Sequence, residues 1–306
     1  MRFGLLGTGP WARLAHGPAL AAHPGVEFVG VWGRRPEAAA EVAELFGTRA
    51  YDDADALIAD VDAVAIALPP ASQAHFATMA ANAGRHLLLD KPLASTVEDA
   101  RAVVDAVERA GVTSVVFFTM RFDAKAAKWI EQQAATGEWY TGRADWYGAV
   151  FGTKGVESVE GVKGADGTAD EDASPFAASP WRQEKGGLWD VGPHALSVLL
   201  PVLGDVTDVR AARGPRDTVH LTLRHESGVS STAVLTLSAP AAAAGIGIEF
   251  RGTHGVAAYP EEWSGTATDA FARAIDAVVA GRPHPCDARF GLRVTEILAA
   301  AEKALG

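Results

Sequence analysis

Apolar runs alternate with amphipathic stretches through the first 120 residues. Residues 3–6, 26–32, 63–68, 85–89 and 113–118 are rich in apolar side chains and read as buried strands, with a shorter, weaker one at 49–51. Between them, 36–46, 53–59, 72–83 and 96–110 carry helix formers at helical spacing, each closed by a polar or glycine-containing turn. This alternation predicts βαβ units around a parallel sheet, so residues 1–120 form one doubly wound α/β domain.

After a further helix over 123–135 the pattern changes. Residues 143–151, 218–224, 230–237 and 246–251 read as strands, helical periodicity largely leaves, and a hairpin turn at 225–228 points to a mainly antiparallel sheet. Helices return at 268–280 and 290–305, separated by a turn around Pro283 and Pro285. Residues 121–306 therefore form a second, α+β domain with an open, mostly antiparallel sheet, and its last helices are placed to pack back on the first. The segment 152–178, rich in Gly, Ala and Ser and carrying Asp170, Glu171 and Asp172 in a row, reads as an exposed loop, either a solvated connection or a lid over a substrate. No repeat of fixed period is present.

Composition narrows the class. Of 306 residues 48% are hydrophobic and 21% charged, the balance of a globular chain. The net charge of −11 comes without a Lys/Arg-rich run, which argues against a nucleic-acid partner and requires a local basic feature for any anionic cofactor. The single cysteine, Cys286, cannot form an internal disulfide, and the chain opens directly into a strand, so the expected compartment is the cytoplasm. The longest apolar runs, such as 112–118, fall far short of the roughly 20 residues of a membrane span, so no membrane association is expected.

Gly7-Thr8-Gly9-Pro10-Trp11-Ala12 follows the first strand and opens a helix, the context that turns a glycine-rich string into a dinucleotide-binding signal of a Rossmann domain. Gly7 allows the tight turn, Gly9 lets the backbone approach a pyrophosphate, and Ala12 permits close helix–strand packing. Pro10 suits the first helical turn. The helix N-terminus faces the phosphates. The second strand ends Trp32-Gly33-Arg34-Arg35, without the carboxylate that binds ribose hydroxyls in NAD sites. Arg34 and Arg35 suit a 2′-phosphate, which favours NADP over NAD, although both also fit a solvated helix start.

Two further clusters carry candidate chemistry. Asp90-Lys91-Pro92 follows the fifth strand, at the carboxyl edge where open α/β sheets place ligands. Its lysine could steer a hydroxyl or the nicotinamide amide, or it could be an ordinary surface ion pair with Asp90. In Gly186-Gly187-Leu188-Trp189-Asp190-Val191-Gly192-Pro193-His194 the ending reads as a helix start. His194 in that first turn would be kept neutral as a proton acceptor by the positive helix end, while Asp190 could orient the ring and stabilise its protonated form. No metal-ligand cluster is read.

These motifs resemble, nearly end to end, the Gfo/Idh/MocA oxidoreductases. The resemblance is carried by the Gly7 motif, by Leu68-Pro69-Pro70 with His75, and by Asp90-Lys91-Pro92 in place of the usual Glu-Lys-Pro. Arg121-Phe122 and Asp190-Val191-Gly192-Pro193-His194 complete it, the latter matching Asp-Xaa-Gly-Xaa-His. The family implies an active site between the domains, a sheet that mediates homodimers or homotetramers, and hydride transfer at a carbinol carbon. Carried over, Lys91 orients substrate and nicotinamide, His194 is the general acid/base, and Asp190 supports it. Leu68, Pro69, His75 and Asp90 line the cofactor, and Arg121, Trp181 and Arg182 contact substrate or cofactor. Relatives with Ser-Arg-like endings on the second strand tend to use NADP, in line with Gly33-Arg34. Asp90 is one methylene shorter than the usual Glu, and Ser197 stands where many of the family's sugar dehydrogenases have Asp.

The expected activity is NADP(H)- or NAD(H)-dependent oxidation or reduction at a secondary alcohol of a sugar, polyol or related cyclic compound. Two other readings stay open. One is a redox-assisted glycosidase that retains NAD; the other is a non-enzymatic dinucleotide-sensing regulator.

Overall fold

A computed structural model describes residues 1–151, 174–260 and 262–306. Most of the 152–178 segment, including Asp170, Glu171 and Asp172, lies outside the described residues. The chain divides into two compact units, one of Met1–Asp123 with Gly265–Thr295 and one of Ala124–Ser264 with Glu296–Gly306.

The first unit begins with β1 (Arg2–Leu6), a π-helical turn (Ala12–His16) and α1 (Gly17–Ala22). It alternates through β2 (Glu27–Trp32), α2 (Pro36–Leu45), β3 (Arg49–Tyr51), α3 (Ala54–Ala59) and β4 (Ala63–Ile66). Then follow α4 (Pro70–Asn82), β5 (His86–Asp90), α5 (Val97–Ala110), β6 (Ser114–Phe117) and the short α6 (Thr119–Phe122). The six strands lie in the order β3-β2-β1-β4-β5-β6, all parallel. Strand order reverses between β1 and β4, the switch point outside which such sheets bind ligands. Every residue of β4 is buried, the mark of a parallel strand covered on both faces. Local signals set the helix ends: Asp53 accepts from Ala56 N–H before α3, and Thr96 accepts from Asp99 N–H before α5, which closes on left-handed Gly111 (φ 65°).

The second unit holds α7 (Ala124–Thr136), β7 (Trp139–Tyr147), α8 (Pro180–Asp190), α9 (Gly192–Leu203) and β8 (Val206–Arg213). It continues with β9 (Val219–His225), β10 (Ser230–Thr236), β11 (Gly245–Gly252) and β12 (Gly255–Ala258). Its sheet runs β12-β11-β7-β10-β9-β8 and is antiparallel except where β7 meets β10. The β9–β10 hairpin forms at the expected turn, with Gly228 at φ 82°. Two expectations are corrected. The β7 strand begins at Trp139 and ends at Tyr147 rather than spanning 143–151, starting directly after a left-handed Gly137–Glu138 pair. Helical structure does not leave this region, because α8 and α9 occupy it. In α9 ten of twelve residues are buried, so it lacks the polar face that gives a helix its sequence period.

The chain ends with α10 (Ala267–Val279) and α11 (Ala288–Ala304). A reciprocal Thr266–Asp269 capping box starts α10. Within the first unit α10 packs on α1 and β6, and its Thr268 hydroxyl donates to Leu14 O at 3.1 Å. Among the described residues no helix is long and apolar enough to cross a membrane.

Candidate functional site

At the end of β1 the backbone turns sharply. Gly7 N–H donates to Trp32 O at 2.8 Å, its φ is +133°, and a Cβ there would lie 2.3 Å from Ala67 O. Only glycine meets both demands. Gly9 differs: a Cβ would meet nothing within 4 Å, so its lack of a side chain keeps open space clear outside the turn. A dinucleotide pyrophosphate fits that opening, beside backbone at the start of a helix. Ala12 is fully buried, consistent with close helix packing. A Cβ on Gly33 would come within 2.6 Å of the Thr8 side chain, so Gly33 lets the turn settle against the end of β2. Arg34 and Arg35 follow directly and are exposed, with Arg35 immediately before the first residue of α2. Pro10 and Trp11 are half-buried.

The turn then enters a π-helical stretch, Ala12–His16, in which Gly17 N–H reaches back to Ala12 O. π-turns recur at functional sites. This one ends on His16, which is fully buried and stacked on Phe271 with ring centroids 3.9 Å apart. Burial pushes the His16 imidazole down to about 3, so it is neutral. Asp90 Oδ2 lies 3.8 Å from His16 Nε2, beyond hydrogen-bond range, and burial decides the charge.

Asp90 closes β5, and its Oδ1 accepts from Lys91 N–H at 2.8 Å. Lys91 is half-buried and precedes a cis peptide to Pro92. The side chain that grips this turn is Gln73 of α4, bonded to Asp90, Pro92 and Leu93. Leu68 and Pro69 lead into α4, Leu68 half-buried and Pro69 exposed. His75 lies exposed on α4 and meets Phe76 edge-on, so the group drawn to the Asp90 turn is Gln73, two residues earlier. Arg121, on α6, lies with its guanidinium 5.9 Å from the Phe290 ring centroid.

In the second unit two glycines break α8. Gly186 has φ +58°, and a Cβ on Gly187 would fall 2.7 Å from Thr236 Cα. Asp217 secures the break, accepting from Gly187 N–H at 2.9 Å, Leu237 N–H at 2.8 Å and the Thr236 hydroxyl at 2.7 Å. Burial raises the Asp217 carboxyl, but these hydrogen bonds and one from Ser238 outweigh it and leave the group below its ordinary range. Past the break, Asp190 Oδ2 accepts from Arg182 Nε at 3.0 Å. The Arg182 guanidinium also lies over the rings of Trp181 and Phe176, 4.6 and 5.0 Å from their centroids.

His194 occupies the first turn of α9, beside Pro193. It is buried and stacks on Trp146 at the end of β7, centroids 4.7 Å apart and planes 17° from parallel. Ser197 donates to His194 O at 2.7 Å and lies inside the helix packing. Gln73, His16, Trp146 and Asp217 are absent from the sequence reading. Only Gln73 carries a visible signal, as the polar member of an otherwise alanine-rich buried face of α4.

A family model described as an oxidoreductase family with an NAD-binding Rossmann fold matches residues 1–118, and a GFO/IDH/MocA C-terminal domain model matches residues 159–258. The chain is 32% identical over 207 residues to D-xylose 1-dehydrogenase (NADP(+)) 2 of Haloferax volcanii, covering 67% of this chain and 58% of that one. It is 30% identical over 239 residues to D-apiose dehydrogenase of Paraburkholderia graminis, covering 74% and 58%. Against such curated relatives it spans between 32% and 58% of their length. Among solved structures, GenD2 from gentamicin A biosynthesis in complex with NAD is similar with a TM-score of 0.80 at 20% identity, covering 99% of this chain and 93% of that one. Levoglucosan dehydrogenase in complex with NADH and levoglucosan gives 0.78 at 21%, covering 99% and 96%. At such identity the likeness establishes the fold.

Proposed function

The chain belongs to the Gfo/Idh/MocA oxidoreductase family, and from that premise we propose that it transfers hydride between a nicotinamide dinucleotide and a secondary alcohol carbon of a sugar, polyol or related cyclic compound. The observation that carries this reading is the glycine turn of β1, where Gly7 admits no other residue and Gly9 leaves open space at a helix start. Gly7, Thr8, Gly9, Pro10, Trp11 and Ala12 would hold the dinucleotide, with Gly33, Leu68, Pro69, His75 and Asp90 beside it. The bound nicotinamide supplies the hydride chemistry, and the protein supplies placement and charge.

In oxidation, a ring nitrogen of His194 takes the hydroxyl proton while the Lys91 ammonium stabilises developing alkoxide charge. Asp190 supports His194 with Arg182 as its counter-ion, and Trp181 and Arg121 contribute to holding substrate or cofactor. The favoured cofactor is NADP, because Arg34 and Arg35 stand exposed after β2 with no carboxylate at the strand's end. Copies associate as dimers or tetramers through the second unit's sheet, a reading that rests on the resemblance to the family. A cytoplasmic enzyme fits the chain's single, buried cysteine.

The test is calorimetric titration of cofactor-free protein with NADPH and NADH, followed by NADP+ and NAD+ reduction assays on D-xylose, levoglucosan, D-apiose and myo-inositol. Tighter NADPH binding, weakened about tenfold or more by Arg34→Ala with Arg35→Ala, supports the cofactor assignment. Better NADH binding overturns the arginine argument. Binding of neither overturns the oxidoreductase reading, and glycoside cleavage without net reduction of a retained cofactor replaces it with the redox-assisted glycosidase.

A further inference from the structure

We propose that Gln73 is the positioning residue of the Asp90–Lys91–Pro92 turn, its side-chain amide fixing the backbone from which the Lys91 ammonium projects. Gln73 is 1% exposed. The two N–H donors of its Nε2 are shared among Asp90 O at 2.7 Å, Pro92 O at 3.0 Å and Leu93 O at 3.2 Å, and its Oε1 accepts from Asp90 N–H at 2.8 Å. Asp90 is the last residue of β5 paired with β6, so beyond it the sheet no longer satisfies the backbone. Buried backbone groups require partners. One planar amide, donor at one end and acceptor at the other, supplies them on both sides of Lys91. A carboxylate in its place would face three carbonyl oxygens, and an apolar side chain would leave them unpaired.

The functional weight of this clamp rests on the reading of Lys91 as the group that stabilises alkoxide charge. The clamp itself is measurable without cofactor or substrate. The experiment is trace acetylation of the cofactor-free protein with acetic anhydride, read by peptide mass spectrometry as the rate at Lys91 relative to exposed Lys128 and Lys303. Gln73→Met keeps the side-chain volume and removes all four hydrogen bonds. The expected result is a folded variant in which the relative rate at Lys91 rises about fivefold while the ratio of Lys128 to Lys303 is unchanged. A folded variant that labels Lys91 at the parent's relative rate overturns the proposal. Where Gln73→Met does not fold, Gln73→Asn, with the same amide one methylene shorter, is measured in the same way and judged by the same two results. The role of Lys91 in turnover is judged separately, by the activity of Lys91→Ala, so failure of the clamp and failure of the functional reading give different signatures.

Discussion

Arg182 Nε lies 3.0 Å from Asp190 Oδ2, in a pair whose side chains are only 12% and 8% exposed. Two charges so far out of water stabilise each other, and removing Arg182 takes this cation away from a buried carboxylate. Arg182→Met is therefore expected to lower unfolding free energy by about 3 kcal/mol. Arg182→Met with Asp190→Leu, which removes both charges, should recover most of that loss. Urea unfolding of the two single variants and the double variant measures the coupling. Additive losses would show that the contact contributes no net interaction.

The two glycines of the first turn have different jobs, and alanine separates them. Gly7→Ala forces a side chain into φ +133° and against Ala67 O, so the cofactor-free protein should lose about 3 kcal/mol or more. At Gly9 an added methyl meets no protein atom within 4 Å, so melting should be unchanged. Its cost falls on the dinucleotide, whose affinity should drop about tenfold or more as the backbone loses its close approach. Thermal melts and NADPH calorimetry on both variants check this contrast. A destabilised Gly9→Ala with parental affinity would place the pyrophosphate elsewhere.

The parallel sheet was legible because each of its strands is a compact apolar run closed by a turn, as in Ala63–Ile66, and the glycine turn because it needs backbone freedom that only one residue type has. Legibility ended where a residue's role depends on a distant partner. Gln73 meets Asp90 across 17 residues and Asp217 meets Gly187 across 30, and no local period marks either contact. The start of α9 was legible at Gly192-Pro193-His194, but burial on all sides hid how far the helix runs, and exposure hid β8 and β12, the two edge strands, which lack a continuous apolar face. Asp190 was read beside His194 from its spacing, while its pairing with Arg182 depends on the fold of α8 around Gly186.

Buried His16 makes stability depend on pH in a defined window. Burial holds its ring down to about 3 in the folded chain, against 6.5 for an ordinary imidazole. Below 6.5 the unfolded chain takes up a proton that the folded chain refuses until about 3, so the contribution of His16 is complete above 6.5 and is lost as pH falls through that range. The slope is about 1 kcal/mol per pH unit. His225 and His284 are also lowered by burial and add slopes of their own, so the informative quantity is the difference between parent and His16→Leu. Between about pH 7.5 and pH 5 the parent should lose roughly 1–2 kcal/mol more than the variant in urea unfolding. Equal losses would mean that the folded protein accommodates a charged His16.

His194 is fixed from two directions, by its place in the first turn of α9 and by the ring of Trp146 stacked 4.7 Å away. If that ring moves the hydroxyl proton, His194→Ala should cut turnover by about two to four orders of magnitude on a sugar identified by the screen. NADPH affinity should stay within about twofold, since proton transfer contributes nothing to ground-state cofactor binding. Lys91→Ala should lower turnover about tenfold or more through lost charge stabilisation. Trp146→Leu retains the imidazole but frees its plane, and should fall between parent and His194→Ala in turnover, with little change in KM. Steady-state rates with titrated NADPH affinities separate these cases. Parental turnover in His194→Ala would remove the imidazole from the chemistry, whereas parental turnover in Trp146→Leu alone would reduce the stack to packing.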